Sequence, residues 1–121
     1  MKIERFEDIE GWKKARGLTQ LVYSFTRKAP FTKDYGLKDQ ITRASVSVML
    51  NIAEGFDGGS DAEFARFLSY AQRSASEVMS CLYVALDNEY ISKEEFKHAY
   101  DLAGDARRLV GGLIKYLKSK R

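Results

Sequence analysis

One cysteine, one proline, one histidine and one tryptophan are all that these 121 residues contain of each, and each scarcity removes a class of explanation. Cys81, standing alone, can form neither an internal disulfide nor a multi-cysteine zinc site, and reads as a buried, inert thiol. His98 is equally isolated. Di-iron bundles require two Glu-x-x-His motifs, whereas Glu95-Phe96-Lys97-His98 is a single copy, so a solvated surface histidine is the better account. No arginine stands one or two turns ahead of His98, which removes an Arg–His nucleotide-cleaving pair. No serine has a nearby histidine base, and Gly58-Gly59 lacks the Gly-Lys-Ser/Thr ending of a phosphate-gripping loop. No cofactor or metal is expected. The chain also lacks a run of about 18 apolar residues that could span a bilayer. Its N-terminus, MKIERFEDIEGW, has no apolar core of a signal peptide, so a cytoplasmic location and no membrane association are expected.

What is present is helical periodicity. With Pro30 as the only proline, long helices are predicted. The organising stretch is Tyr35–Gly55, YGLKDQITRASVSVMLNIAEG. Leu37, Ile41, Ala44, Val48 and Ile52 make an apolar seam at helical spacing. Beside it runs a line of amide, guanidinium, hydroxyl and carboxylate groups: Gln40, Arg43, Ser47, Asn51 and Glu54. A solvated face would more usually alternate lysine and glutamate.

A first helix is predicted to open at an Asp8 cap and carry Ile9, Trp12, Ala15, Leu18, Val22 and Phe25 inward. It ends near Lys28 or Ala29, since the residue before a proline is pushed out of α geometry. Gly55, Gly58 and Gly59 are read as the stop of helix two. Ser60 with Glu63, and Ser92 with Glu95, form capping-box patterns opening helices three and four. Helix three carries the seam Phe64, Phe67, Ala71, Ser74, Val78, Leu82 and Ala85. Helix four carries Phe96, Ala99, Ala103, Ala106, Val110, Leu113 and Leu117. Short connections make consecutive helices antiparallel neighbours. The prediction is therefore one all-α domain over residues 1–121, an antiparallel up-down-up-down four-helix bundle. Apolar positions beyond a single stripe, Tyr70 and Met79 among them, predict self-association into a homo-oligomer.

A second polar line, Arg66, Ser69, Arg73, Ser76 and Ser80, recurs on helix three. Folding helices two and three into a hairpin places Arg43 near Ser74 and Glu77, and Glu54 near Arg66. Two cross-helix ion pairs are expected, Arg43–Glu77 and Glu54–Arg66, fixing register. The same arithmetic separates Glu54 from Glu77 by about 14 residues, roughly 21 Å at 1.5 Å per residue. Paired catalytic carboxylates stand within about 10 Å of each other, so the chain is read as a non-enzyme.

The formal net charge is +3, unevenly spread: residues 1–53 carry +4, residues 54–95 carry −6 and residues 96–121 carry +5. Basic ends suit a polyanion. Lys13, Lys14 and Arg16 on helix one, with Arg107, Arg108, Lys115, Lys118 and Lys120 on helix four, are expected to form one electropositive face. Its phosphate contacts, to RNA or DNA, would be salt-sensitive. The competing reading is a purely protein-binding or structural oligomer.

FEDIEGWKKAR, YGLKDQITRASVSVMLNIAEG and FARFLSYAQRSASEV together resemble a bacterial four-helix bundle family. It includes proteins encoded in intervening sequences of large-subunit ribosomal RNA genes and is similar to the accessory protein of diversity-generating retroelements. Trp12, Ala15, Gly36, Leu37, Gln40, Arg43, Ala44, Ser47, Asn51, Glu54, Gly55, Phe67, Leu68, Ser74 and Glu77 match the pattern. The resemblance implies a ring-like homopentamer. For the retroelement relatives it implies a basic surface that binds nucleic acid and a reverse transcriptase. Three departures matter. Thr42-Arg43 replaces a double arginine, the pattern's mid-helix proline is replaced near Met49, and the turn Phe56–Ser60 is acidic rather than basic. The first and third shift the expected phosphate contacts to helices one and four.

Overall fold

The computed structural model describes residues 2–120. Four helices account for most of them: α1 (Glu10–Thr26), α2 (Tyr35–Asp57), α3 (Asp61–Asp87) and α4 (Lys93–Ser119), with no strand among the described residues. Each helix packs against the two beside it, α1 closing the square against α4. Side-chain registers show the antiparallel sense. Gly11 lies against Val110 while Gly17 lies against Leu102; Ser47 bonds Ser74 while Gln40 reaches Glu77.

The core follows the predicted seams, with local shifts. Leu18, Val22, Phe25, Ile41, Val78, Leu82 and Ala99 fill the half nearest the α1–α2 connection. Ile9, Val48, Ile52, Leu68, Val110 and Leu117 fill the other half. On α3 the fully buried positions include Leu68 and Ala75. The expected seam residues Phe67 and Ser74 are only half-buried. A helix enclosed on two sides buries a wider arc than one stripe, and α3 packs against both α2 and α4.

The helix ends depart from expectation for identifiable reasons. Asp8 does not cap α1. It closes a 3-10 turn, Phe6–Asp8, and its carboxylate accepts the backbone N–H of Glu4 at 3.1 Å and of Arg5 at 3.3 Å. α1 ends at Thr26, earlier than the proline alone requires, and Arg27 is its C-cap. Ser60 accepts the Glu63 N–H at 3.1 Å, but Glu63 turns to Arg66 rather than back to the cap. The Ser92–Glu95 box forms both of its bonds, at 2.8 and 3.0 Å.

Gly55 is not a stop. α2 runs through it to Asp57, and a Cβ there would stand 2.8 Å from Phe67 Cβ and 3.1 Å from Phe64 Cδ1. Glycine is required because α3 crosses α2 at that point.

Two connections are bolted together at one end of the bundle. Phe31 lies in a 3-10 turn (Phe31–Lys33) after Pro30 and is wholly buried. α3 closes with Glu89 in left-handed geometry, φ 61°. Tyr90 N–H then donates to Ala85 O at 2.9 Å and Glu89 N–H to Leu86 O at 3.0 Å, the two bonds of a Schellman closure. That closure aims the Tyr90 ring onto Phe31, centroids 5.0 Å apart, and its hydroxyl onto Asp34 Oδ2 at 2.8 Å. The other Asp34 oxygen accepts the Leu37 N–H at 3.1 Å, capping α2.

Asp34→Ala removes both bonds and should cost about 1–2 kcal/mol, read as a lower denaturation midpoint. Hydrogen bonding to Asp34, with desolvation adding to it, holds the Tyr90 hydroxyl above the ordinary tyrosine value of 10.0. A folded-state value raised above the unfolded one stabilises fully below the unfolded value and is lost as pH rises through the folded one. The stability gap between the native chain and Tyr90→Phe should therefore be constant at neutral pH and change only above pH 10.0. A gap that varied between pH 6 and 8 would show the bond is not what Tyr90 contributes.

Candidate nucleic-acid interface

The polar line on α2 does meet α3, though not through the expected ion pairs. Arg43 Nη1 donates to Asp39 Oδ2 at 3.2 Å, one turn back on its own helix. Glu77 instead accepts from Gln40 Nε2. Arg66 donates to Glu63 at 2.5 Å and to the Tyr70 hydroxyl at 3.0 Å, so it does not pair with Glu54. Among the described residues neither Arg43–Glu77 nor Glu54–Arg66 forms. Local partners one turn away already hold each guanidinium, at little entropic cost. Beside that Gln40–Glu77 bond, α2 meets α3 through hydroxyls: Ser47 and Ser74 meet at 2.8 Å, and Asn51 Nδ2 donates to Ser47 Oγ at 3.0 Å.

Two open surface grooves flank α2. One, about 450 Å3, is lined by Gln40, Arg43, Ala44, Ser47 and Glu77. The other, about 440 Å3, shares Arg43 and Ser47 but holds Glu54 with Tyr23, Val46 and Leu50. Glu54 and Glu77 thus open into different grooves. Burial pushes the Cys81 thiol up, with Glu77 adding to the effect, which keeps it protonated and unreactive. His98 is exposed. No group of three or more His, Cys, Asp or Glu among the described residues is placed to hold a metal, and no described helix is long and apolar enough to cross a membrane.

The eight expected contact cations do not share one face. Lys13 is held by Glu10 at 3.1 Å, Arg108 by Asp105 at 3.1 Å and Lys120 by Asp61 at 3.2 Å. Arg16 lies over the Trp12 ring, 6.0 Å from its centroid, and Lys14 is half-buried. On α4, Arg108 and Lys115, seven residues apart, share a side, and both are exposed. Arg107 and Lys118, eleven apart, share a different one. That second side is turned to α3: Arg107 Nη1 is 4.0 Å from Met79 Sδ, and Gln72 Nε2 donates to the Arg107 carbonyl at 3.1 Å. Lys118 lines a groove of about 560 Å3 with Asp61, Ala62, Ala65, Arg66, Ser69, Ile114 and Leu117. The split is angular, since neighbouring residues on a helix lie about 100° apart. Arg66 and Arg73 lie on the polar line predicted for α3 but outside the eight expected contact residues, although their seven-residue spacing is the same as that of Arg108 and Lys115.

Tyr70 and Met79, expected to be exposed, are half-buried, and Tyr70 also receives Arg66. The large apolar groups that reach solvent are Tyr23, Tyr35, Leu50, Tyr83, Val84 and Tyr116.

A model of the family described as 23S rRNA-intervening sequence protein matches residues 7–112. Among solved structures, the chain is similar to a protein of unknown function from the S23 ribosomal protein family of Bacteroides thetaiotaomicron. Identity is 24%, the TM-score is 0.79, and the match covers 87% of this chain and 95% of that one. At that identity the likeness speaks to the fold alone. No curated protein matches the chain.

Proposed function

The chain belongs to the 23S rRNA-intervening sequence protein family, and from that premise we propose that it is a non-catalytic, homo-oligomeric scaffold that associates with nucleic acid in the cytoplasm. The observation that carries this reading is positive charge left over after local pairing. Lys13, Arg108, Lys120, Arg66 and Lys97 each have a nearby carboxylate. Lys115 and Lys118 are exposed, and among the described residues neither forms an ion pair. Surplus cations on rigid helices attract phosphate by releasing its counterions. Titration of labelled RNA and DNA oligonucleotides tests it. Affinity should fall steeply, by about 10-fold or more, between roughly 50 and 200 mM salt. Affinity that stays flat over that range would refute the nucleic-acid part.

A second reading, a structural oligomer without nucleic-acid contact, is favoured by Leu50. It stands 53% exposed beside the exposed Tyr23 in the α2 groove. A second copy of the chain is the occupant proposed for it, and the family resemblance implies a ring of five. Light scattering should give a mass of several protomers, reduced by Leu50→Arg. A monomeric mass at micromolar concentration would remove the oligomer from both readings.

A further inference from the structure

Resting on the nucleic-acid reading above, we infer that the seat of binding is the α3–α4 groove, and that it takes a single strand rather than a duplex. Four cations border this side of the bundle. Arg66 and Lys118 line the groove itself. Arg73 follows Arg66 by seven residues, two turns along the same face of α3 and about 10 Å away along the axis. Arg107 closes the line from α4, its backbone held by Gln72, the residue before Arg73.

The carboxylates nearby already have partners. Asp61 takes Lys120, Glu63 takes Arg66 and Asp105 takes Arg108. Arg73 and Lys118 have none among the described residues, and Arg107 meets only a thioether. Arg66 is pre-oriented: its two terminal nitrogens are held by Tyr70 and Glu63, and its Cζ lies 5.0 and 5.7 Å from the Phe67 and Tyr70 ring centroids. A guanidinium has five N–H donors, so some remain for a phosphate oxygen. A phosphodiester chain laid along this line would meet cations with little rearrangement.

The floor of the groove decides the strand type. Ala65, Ile114 and Leu117 give it an apolar base beneath the cationic rim, with Ala62 exposed at its edge. In a duplex the bases are stacked inside and only backbone faces the protein, so an apolar floor has nothing to cover. A single strand can turn the apolar faces of its unpaired bases onto that surface and remove both from water, while its phosphates meet the cations.

The test uses the full-length protein with fluorescein-labelled oligothymidylate and oligouridylate of about 16 nucleotides, beside a DNA hairpin duplex, across a salt series. The groove variant Arg73→Glu/Lys118→Glu should weaken single-strand binding by about 10-fold or more and flatten the salt slope by about 1.4, two contacts at 0.7 each. Lys28→Glu/Lys93→Glu, an equal change in net charge elsewhere on the surface, should leave both within about 2-fold, since distant exposed charges are screened. Circular dichroism confirms that each variant is folded. Single-strand binding that survives the groove variant overturns the inference while leaving nucleic-acid association standing. Tighter binding of the duplex also overturns it. No binding of any probe at low salt overturns the functional reading itself, and the inference with it.

Discussion

Phe31→Ala should lower stability by about 3–5 kcal/mol, the range for emptying a buried phenylalanine site. The residue sits in the connection between α1 and α2, residues 27–34, where truncation would ordinarily be harmless. Here the ring is wholly buried among Leu18, Val22, Phe25, Ile41 and Ile91 and stacks on Tyr90. Its loss opens a void that the surrounding helices cannot close, because the α1–α2 and α3–α4 connections are tied together beside it by the Asp34–Tyr90 bond. Domains of this size are stable by about 5–15 kcal/mol, so the loss is a large share of the whole. Urea denaturation should show a lower midpoint at unchanged slope. Phe31→Leu, which keeps most of the volume, should cost under about 2 kcal/mol. A loss below 1 kcal/mol for Phe31→Ala would mean that the connection is not part of the core.

The second large effect is a reversal of sign between two glycines. Alanine stabilises a helix interior by about 1 kcal/mol over glycine. Gly17 has room for it, the nearest atom being Leu102 Cδ1 at 3.9 Å from the added Cβ, so Gly17→Ala should stabilise by about 0.5–1 kcal/mol. Gly55 has none. Its Cβ would meet Phe67 Cβ at 2.8 Å and the Phe64 carbonyl oxygen at 3.3 Å. Neither atom is the free end of a flexible chain, so α2 and α3 must separate. Gly55→Ala should destabilise by about 1–2 kcal/mol after the propensity gain, and Gly55→Val by about 3 kcal/mol or more. Thermal unfolding of the variants side by side reads the signs directly. If Gly55→Ala were as stabilising as Gly17→Ala, the close crossing of α2 and α3 would be wrong.

How much of this was legible beforehand differs from residue to residue. The Ser92–Glu95 box was readable because both partners lie within one turn and need nothing else. The apolar seams were readable for the same reason: burial at helical spacing is a local pattern with a global consequence. Gly55 was misread because a stop glycine and a crossing glycine look alike in one dimension. Arg43 and Arg66 were assigned cross-helix partners although Asp39 and Glu63 lay one turn away on the same helix. An i, i+4 or i, i+3 carboxylate takes a long side chain first. Asp34 stands before α2 as a cap should, but its second bond comes from Tyr90, 56 residues away, and such a partner leaves no local trace. Phe31 had no local signal at all.

Local spacing was enough to set the helices, their number, their antiparallel order and most of their inward faces, α3 being shifted from Phe67 and Ser74 to Leu68 and Ala75. Each of these depends on spacing within about two turns or on the shortness of a connection. Only the tertiary structure decided where the surface charge lies. The rotation of α4 about its axis turns Arg107 and Lys118 toward α3 and leaves Arg108 and Lys115 facing outward. That rotation is set by how small side chains such as Ala103 and Ala106 settle against neighbouring helices, and packing between distant segments leaves no periodic trace in a single chain.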